Sequence, residues 1–410
     1  MNFTKIALAA AVTLVAAQAQ AATVYLAGAS ATSANYRSAL TTLCTSAGGT
    51  ATTITNTTDT NLFAVKCSKN FSGLAGIDAV SFNVAGGSFT AISTSAGTQT
   101  TQFVDVADTS GNTLTAARKS EGGFLDIDAA AFPAAELTAA GLAQAPATQA
   151  ASFSQVFGVA VSPALYTALQ SAQGIAGAGL DAIDPAHQPS ITKAQYASIV
   201  SDSFNTAKQD ITAILNVGTA GDKLTVCRRV STSGTQASSN QFFLNGYIGG
   251  DGAAGGAVSP ADAANYASAN SGLTSYDVQE GAGTGNARTC LSAAGYALGV
   301  LSLENYPDLT TRSGGQRADR KWRYVKIAGI AAYDGPSAAS PSSTGKSTDT
   351  AKAGQYEFWF TSQKYGHTAN GTAVINAIDD TLSTLNLSGL FGNSTSAAQR
   401  LSNTSPVFFN

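Results

Sequence analysis

Charge is what this chain of 410 residues has least of. Asp, Glu, Lys and Arg make up 11% of it, against roughly 25% in an average soluble domain. The formal net charge is −3, which excludes a generally basic chain built to coat nucleic acid. A local anion site is still allowed. Histidine is nearly absent, with only His187 and His367. Neither has a Cys or a second His beside it, and no C-x-x-C pair occurs, so zinc ligation is not expected. Long apolar runs are missing as well. Past residue 25 no uninterrupted apolar stretch of about 18 residues appears, which excludes a multi-spanning membrane protein. What is present is 44% apolar residues, enough to bury a core. The length allows one large domain or two to three ordinary ones.

The N-terminus has the order of an export signal. Met1–Lys5 carries one positive charge, Ile6–Ala17 is apolar, and Ala17-Gln18-Ala19 and Ala19-Gln20-Ala21 are both A-x-A exits. Cleavage after residue 21 is expected. No Cys follows the apolar run, so a periplasmic or secreted protein without a lipid anchor is expected. Cysteine usage agrees with export. The four are Cys44, Cys67, Cys227 and Cys290, and an even count in an oxidising compartment suggests two disulfides. Of three pairings, Cys44–Cys67 and Cys227–Cys290 join the nearest neighbours in sequence and are favoured.

Along the chain, short apolar strands alternate with helical patterns. Val24–Leu26, Leu62–Cys67, Ile77–Val84, Phe124–Ile127, Val156–Val161, Leu224–Val230, Tyr296–Leu303, Trp322–Ile330 and Tyr356–Thr361 read as strands. Ala34–Cys44, Ala134–Leu142, Leu165–Gln170, Thr192–Val200, Ser239–Ile248 and Val374–Leu387 read as helices. Thr192 is a plausible N-cap. Pro146–Ala151 reads as a link of small residues, and Gly249–Ala257 as a loop. The alternation implies an α/β protein with crossover connections.

Catalytic motifs mostly fail. Gly345-Lys346-Ser347 resembles the end of a phosphate loop, but Ser340 stands where its first glycine is required. Gly281–Asn286 lacks the last glycine of a dinucleotide fingerprint. Ser88 and Ser233 lie in no G-x-S-x-G frame. Asp126 and Asp128 alone make a weak calcium site, and the glycine-turned loop of an EF-hand is absent. Catalytic residues, a metal and a cofactor are therefore not assigned. One constellation is sharper. Arg229-Val230-Ser231-Thr232-Ser233-Gly234-Thr235 follows a strand and opens a helix. A helix N-terminus offers free N–H groups and partial positive charge. Ser233 and Thr235 add hydroxyls, Gly234 admits close approach, and Arg229 can reach in with a guanidinium fork. That combination suits an oxyanion. An ordinary Ser/Thr helix cap is the plainer reading. The same strand, glycine turn and helix recur at Gly28-Ala29-Ser30, which suggests two lobes gripping one ligand.

These residues resemble the periplasmic phosphate-binding proteins of the phosphate ABC transporter. Arg228–Thr235 followed by Phe242-Phe243-Leu244 resembles their phosphate loop. Ala27-Gly28-Ala29-Ser30 with Tyr36 resembles their N-terminal strand turn. Gly123–Asp126 with Phe132 resembles the strand that carries their ligand-binding aspartate, and Phe157–Val161 the strand that crosses between lobes. Ile191–Val200 resembles a helix with T-x-x-Q-x-x-x-I spacing, and Gly281–Asn286 with Gly295-Tyr296 their glycine loop and later strand. The matches occur in the family's order between about Val24 and Leu303.

The resemblance implies a type II periplasmic-binding-protein fold, two α/β lobes with a hinge. Lobe one would span 22–152, with 350–410 returning to it, and lobe two 153–349. Arg229, Ser233, Gly234 and Thr235 would hold phosphate from lobe two. Ser30, the backbone of Ala31, and Asp126 would hold it from lobe one, with Ser88 as the second serine. The segments 93–117 and 331–352 depart from the family pattern. Two functions follow. One is an exported monomer that binds inorganic phosphate, delivering it to an inner-membrane ABC permease. The other is a secreted or surface interaction protein that keeps the fold without transport, which the low charge favours. A nucleic-acid partner is not expected.

Overall fold

The computed structural model describes residues 22–201, 210–219, 221–244, 276–293, 295–305, 321–332, 348–385, 389–400 and 402–409. The expected export signal, the expected Gly249–Ala257 loop, Gly345-Lys346-Ser347 and most of 331–352 lie outside the described residues.

One mixed twelve-stranded sheet organises the chain. Its strands are β1 (Ala22–Gly28), β2 (Ala51–Thr55), β3 (Leu62–Cys67), β4 (Ile77–Asn83), β5 (Gly122–Leu125), β6 (Gln149–Val161), β7 (Leu224–Arg229), β8 (Tyr276–Gly281), β9 (Tyr296–Ser302), β10 (Arg323–Tyr324), β11 (Trp359–Gly366) and β12 (Leu390–Gly392). The order is β2-β3-β4-β1-β5-β11-β6-β9-β7-β8, with β10 and β12 pairing to β6 off that path. The helices used below are α1 (Ser33–Ser46), α2 (Ala134–Ala139), α3 (Lys193–Val200), α4 (Gly234–Leu244), α5 (Thr284–Leu291) and α6 (Ala369–Thr384).

β6 divides the sheet. Residues from Gln149 to Val156 pair with β11, and Phe157 to Val161 pair with β9. The strands built on the N-terminal half of β6 are lobe one below, and those built on its C-terminal half are lobe two. Val156, Phe157, Val159, Ala160 and Val161 are all buried, the near-continuous apolar run of a strand covered on both faces. Within each lobe the central strands are parallel: β1 with β4 and β5, β7 with β8 and β9. Parallel neighbours put their C-terminal ends on one edge, where ligands of open α/β sheets bind. α6 returns the C-terminal region to lobe one, packing on α1 and on β1, β5 and β6.

Local chemistry explains several elements. Thr192 and Gln195 form a capping box on α3: Gln195 N–H donates to Thr192 Oγ1 at 3.0 Å, and Thr192 N–H to Gln195 Oε1 at 2.7 Å. Each side chain satisfies an N–H that the helix itself cannot. Both favoured disulfides are formed, Cys44–Cys67 and Cys227–Cys290. The first ties α1 to β3, the second β7 to α5.

Other expectations need correction. Pro146–Ala151 is not a link throughout, because β6 already begins at Gln149. β5 ends at Leu125, two residues before the expected Ile127, so Asp126 lies beyond the strand. α4 starts at Gly234, five residues before the expected Ser239. Trp322–Ile330 holds two short strands, β10 and Lys326–Ile327, rather than one. β2 and β8 were not anticipated. The 93–117 segment folds back on lobe one. Phe103 and Val104 are buried, Phe103 stacks edge-on to Tyr25, and Ser81 donates to the Val104 carbonyl at 3.0 Å.

Candidate anion site

Five chain turns meet here, following β1, β4, β5, β7 and β8. Asp126 stands one residue past β5 and is 1% exposed. Its Oδ2 accepts from Ser88 Oγ at 3.1 Å, and its own N–H donates back to Ser88 Oγ at 3.3 Å. Oδ1 is buried without a hydrogen-bond partner. Burial pushes the carboxyl up to about 6, while bonds from Ser88 and Thr235 and the Arg229 charge act to lower it. Asp126 does not cap the short 3-10 turn Ala129–Ala131 that follows, whose N-cap is Asp128.

The start of α4 faces this carboxylate. A Cβ on Gly234 would sit 2.6 Å from Asp126 Oδ2 and collide with Ser88 Oγ. Only glycine permits that approach. Gly87 is in the left-handed region at φ +81°, and a Cβ there would lie 2.8 Å from Ser233 Cα. Phe89 N–H donates to the Thr232 carbonyl at 3.0 Å, so the two lobes meet backbone to backbone. Ser233 and Thr235 are buried. The partial positive end of α4 is thus aimed at Asp126 and Ser88.

Arg229, the last residue of β7, is 2% exposed. In the sequence its guanidinium reads as a fork for an anion. Instead Nε donates to the Gly281 carbonyl at 3.1 Å and Nη2 to the Ala282 carbonyl at 2.7 Å. Nη1 donates to Thr284 Oγ1 at 3.0 Å and Ser30 Oγ at 3.3 Å. Burial lowers its pKa to about 10, with Asp126 opposing, so it remains charged at neutral pH. Arg229 therefore braces the site as well as charging it. Arg228 turns the other way, to Glu280 Oε2 at 3.3 Å, as strand alternation requires.

Ser30 and Ala31 open the turn into α1, and both are buried. Ser30 Oγ lies 3.1 Å from Thr284 Oγ1 across the lobes. The Ala31 carbonyl accepts from Ser302 Oγ at 3.2 Å. All eight candidate residues are therefore gathered where these turns meet. Three further residues belong there. Thr284 is the first residue of α5 and bonds both Ser30 and Arg229; the glycine run before it was its only sequence signal. Glu136 on α2 accepts from Ser231 Oγ. Glu304 reaches the start of α1. The last two carry no local motif.

No protein-family model matches the chain, and no curated protein does. Solved structures follow a similar chain path. One, from Clostridium perfringens, is described as a phosphate ABC transporter substrate-binding protein and was solved with bound phosphate. It has a TM-score of 0.43 and 13% identity, covering 87% of this chain and 93% of its own. Another is a phosphate-binding protein from Stenotrophomonas maltophilia, with TM-score 0.36 and 14% identity over 76% of this chain and 66% of its own. Both are named for phosphate. The likeness concerns chain path; the assignment of a ligand rests on the site itself. Among the described residues no helix is long and apolar enough to cross a membrane, and no cluster of three metal-ligating side chains occurs.

Proposed function

We propose that this chain is an exported receptor for inorganic phosphate, which it encloses between 22–152 with 350–410 on one side and 153–349 on the other. The observation that carries the reading is the buried, unpartnered Oδ1 of Asp126, set opposite a helix N-terminus and a buried Arg229. A lone buried acceptor needs a donor. Monohydrogen phosphate supplies one: its P–O–H donates to Asp126 while its other oxygens accept. Ser30, Ser233 and Thr284 offer hydroxyls to those oxygens, while Ser88 and Thr235 give theirs to Asp126. The N–H groups at Ala31, Gly234 and Thr235 complete a shell of donors around a single acceptor. Charge balance agrees, since Arg229 and the α4 dipole offset the dianion.

No residue of the cleft is assigned as a nucleophile, and the role proposed is capture and delivery, with an inner-membrane ABC permease as the receiving partner. A second reading is favoured by one observation. Arg229 is already bonded to four protein groups, so the network holds the lobes together without an anion. An exported interaction protein would need no more than that. Calorimetric titration of refolded, dialysed protein with inorganic phosphate decides between them. Saturable one-to-one binding supports the receptor, and no heat of binding at millimolar phosphate refutes it.

A further inference from the structure

We propose that Glu304 is a positioning residue that latches the two lobes over the anion site. The inference rests on the phosphate reading and adds a second carboxylate to it. Glu304 follows β9 and belongs to lobe two. Its carboxylate crosses to the N-terminus of α1 in lobe one. Oε1 accepts from the Ala34 N–H at 3.1 Å, and Oε2 from Asn35 Nδ2 at 3.2 Å. First-turn N–H groups have no partner inside their helix. The N-cap residue of α1, Thr32, makes no capping hydrogen bond with its side chain, and Glu304 supplies the acceptor instead. An anionic group there is also favoured by the helix dipole.

Neighbouring bonds run to the same turn. Ser302 Oγ donates to the Ala31 carbonyl at 3.2 Å, Asn305 Nδ2 donates to Ser302 Oγ at 3.0 Å, and Arg288 Nη1 donates to Asn305 Oδ1 at 2.9 Å. The end of β9 is thereby tied to the turn that carries Ser30. Separating the lobes breaks both Glu304 bonds at once.

The groups facing Glu304 are Arg37 and Tyr36 on α1, Arg288 on α5, and Asp126 beyond β5. Burial is the largest influence and pushes the carboxyl up to about 8. Asp126 acts in the same direction, while the Ala34 N–H, Arg37 and Arg288 act against it. With the lobes apart the carboxyl is in water and returns toward 4.5. The closed form therefore holds a proton that the open form releases between those values. Closure is favoured on the acid side and weakens as pH rises toward 8. A neutral Glu304 keeps the Ala34 bond and donates its O–H to the amide oxygen of Asn35 once that amide flips.

The test compares the wild type with Glu304→Gln and Glu304→Ala by phosphate titration from pH 6 to pH 9. Comparison at each pH cancels the ionisation of phosphate itself. The Gln side chain reproduces the protonated pattern at every pH. The ratio of wild-type to Glu304→Gln dissociation constants should rise about tenfold from pH 6.5 to pH 7.5. Glu304→Ala should bind more weakly than Glu304→Gln throughout. A parallel measurement follows the distance between labels at Thr52 and Gln279, exposed positions on the two outer strands, without phosphate. It should lengthen with pH in the wild type and stay constant in Glu304→Gln. Parallel pH profiles with an unchanging distance overturn the latch. A pH-dependent distance in a protein that binds no phosphate sustains the latch and refutes the phosphate reading instead.

Discussion

Replacing Asp126 by Asn is the sharpest probe of the site, because it changes one hydrogen-bonding role and little else. Sulfate and monohydrogen phosphate have nearly the same size, shape and charge. At neutral pH only phosphate carries a proton. An ionised Asp126 can only accept. It takes the phosphate proton through Oδ1, the oxygen that no protein group satisfies. Against sulfate it faces another acceptor, with no proton between them and little water to screen them. A buried acceptor left so mismatched costs about 1–3 kcal/mol or more, roughly 5-fold to 150-fold in affinity. Wild type should therefore ignore sulfate in competition titrations at pH 7.5, and Asp126→Asn should bind sulfate and phosphate with similar affinity, since the amide can donate. The carboxyl sits at about 6, so the wild type should itself lose discrimination as pH falls through 6 and Asp126 becomes a donor. Stability without ligand carries the same signature. A folded-state pKa raised from 3.8 to about 6 means the folded protein favours the proton, and the ionised form is penalised above pH 6. The penalty is about 3 kcal/mol. Asp126→Asn should accordingly be more stable than the wild type at pH 8, with the difference vanishing near pH 4. Equal sulfate and phosphate binding by the wild type, or unchanged selectivity in Asp126→Asn, would refute the reasoning.

Three further expectations concern the frame of the site. Arg229→Ala should abolish phosphate binding and lower the unfolding free energy by about 2–5 kcal/mol, because the Gly281 and Ala282 carbonyls lose their donor; Arg228→Ala, which breaks a partly exposed pair with Glu280, should cost about 1 kcal/mol or less in denaturant melts and leave binding intact. Gly234→Ala places a Cβ against Ser88 and Asp126 and should weaken binding at least tenfold while barely shifting the melting temperature of the open form, a result that wild-type affinity in titration would overturn. Reducing Cys44–Cys67 and Cys227–Cys290, 23 and 63 residues apart, should remove about 3 and about 4 kcal/mol on the chain-entropy account, and thiol labelling of the unfolded, unreduced protein should find no free cysteine.

What the sequence alone determined here is what short-range chemistry determines. The turn at Gly28-Ala29-Ser30 and the one at Ser233-Gly234-Thr235 were legible because a strand, a glycine and a hydroxyl-bearing helix start are written within a dozen residues. The Thr192 and Gln195 capping box was half visible for the same reason, and Leu62–Cys67 was read to the residue because its apolar run ends in turn residues. The disulfide pairing followed from chain proximity, which held because each bridge joins neighbouring elements. Tertiary structure alone decided the rest. Ser30 and Thr284 are 254 residues apart, and Glu304 and Ala34 are 270 apart. Their meeting depends on strand order and on how β6 is shared by two lobes, and neither leaves a local periodic trace. Arg229 shows the difference most directly. Its charge and position after a strand marked it as an anion ligand. That it also holds Gly281, Ala282, Ser30 and Thr284 together could be seen only once β8 lay beside β7, because the cost of burying a guanidinium is met by acceptors that the fold brings from elsewhere in the chain.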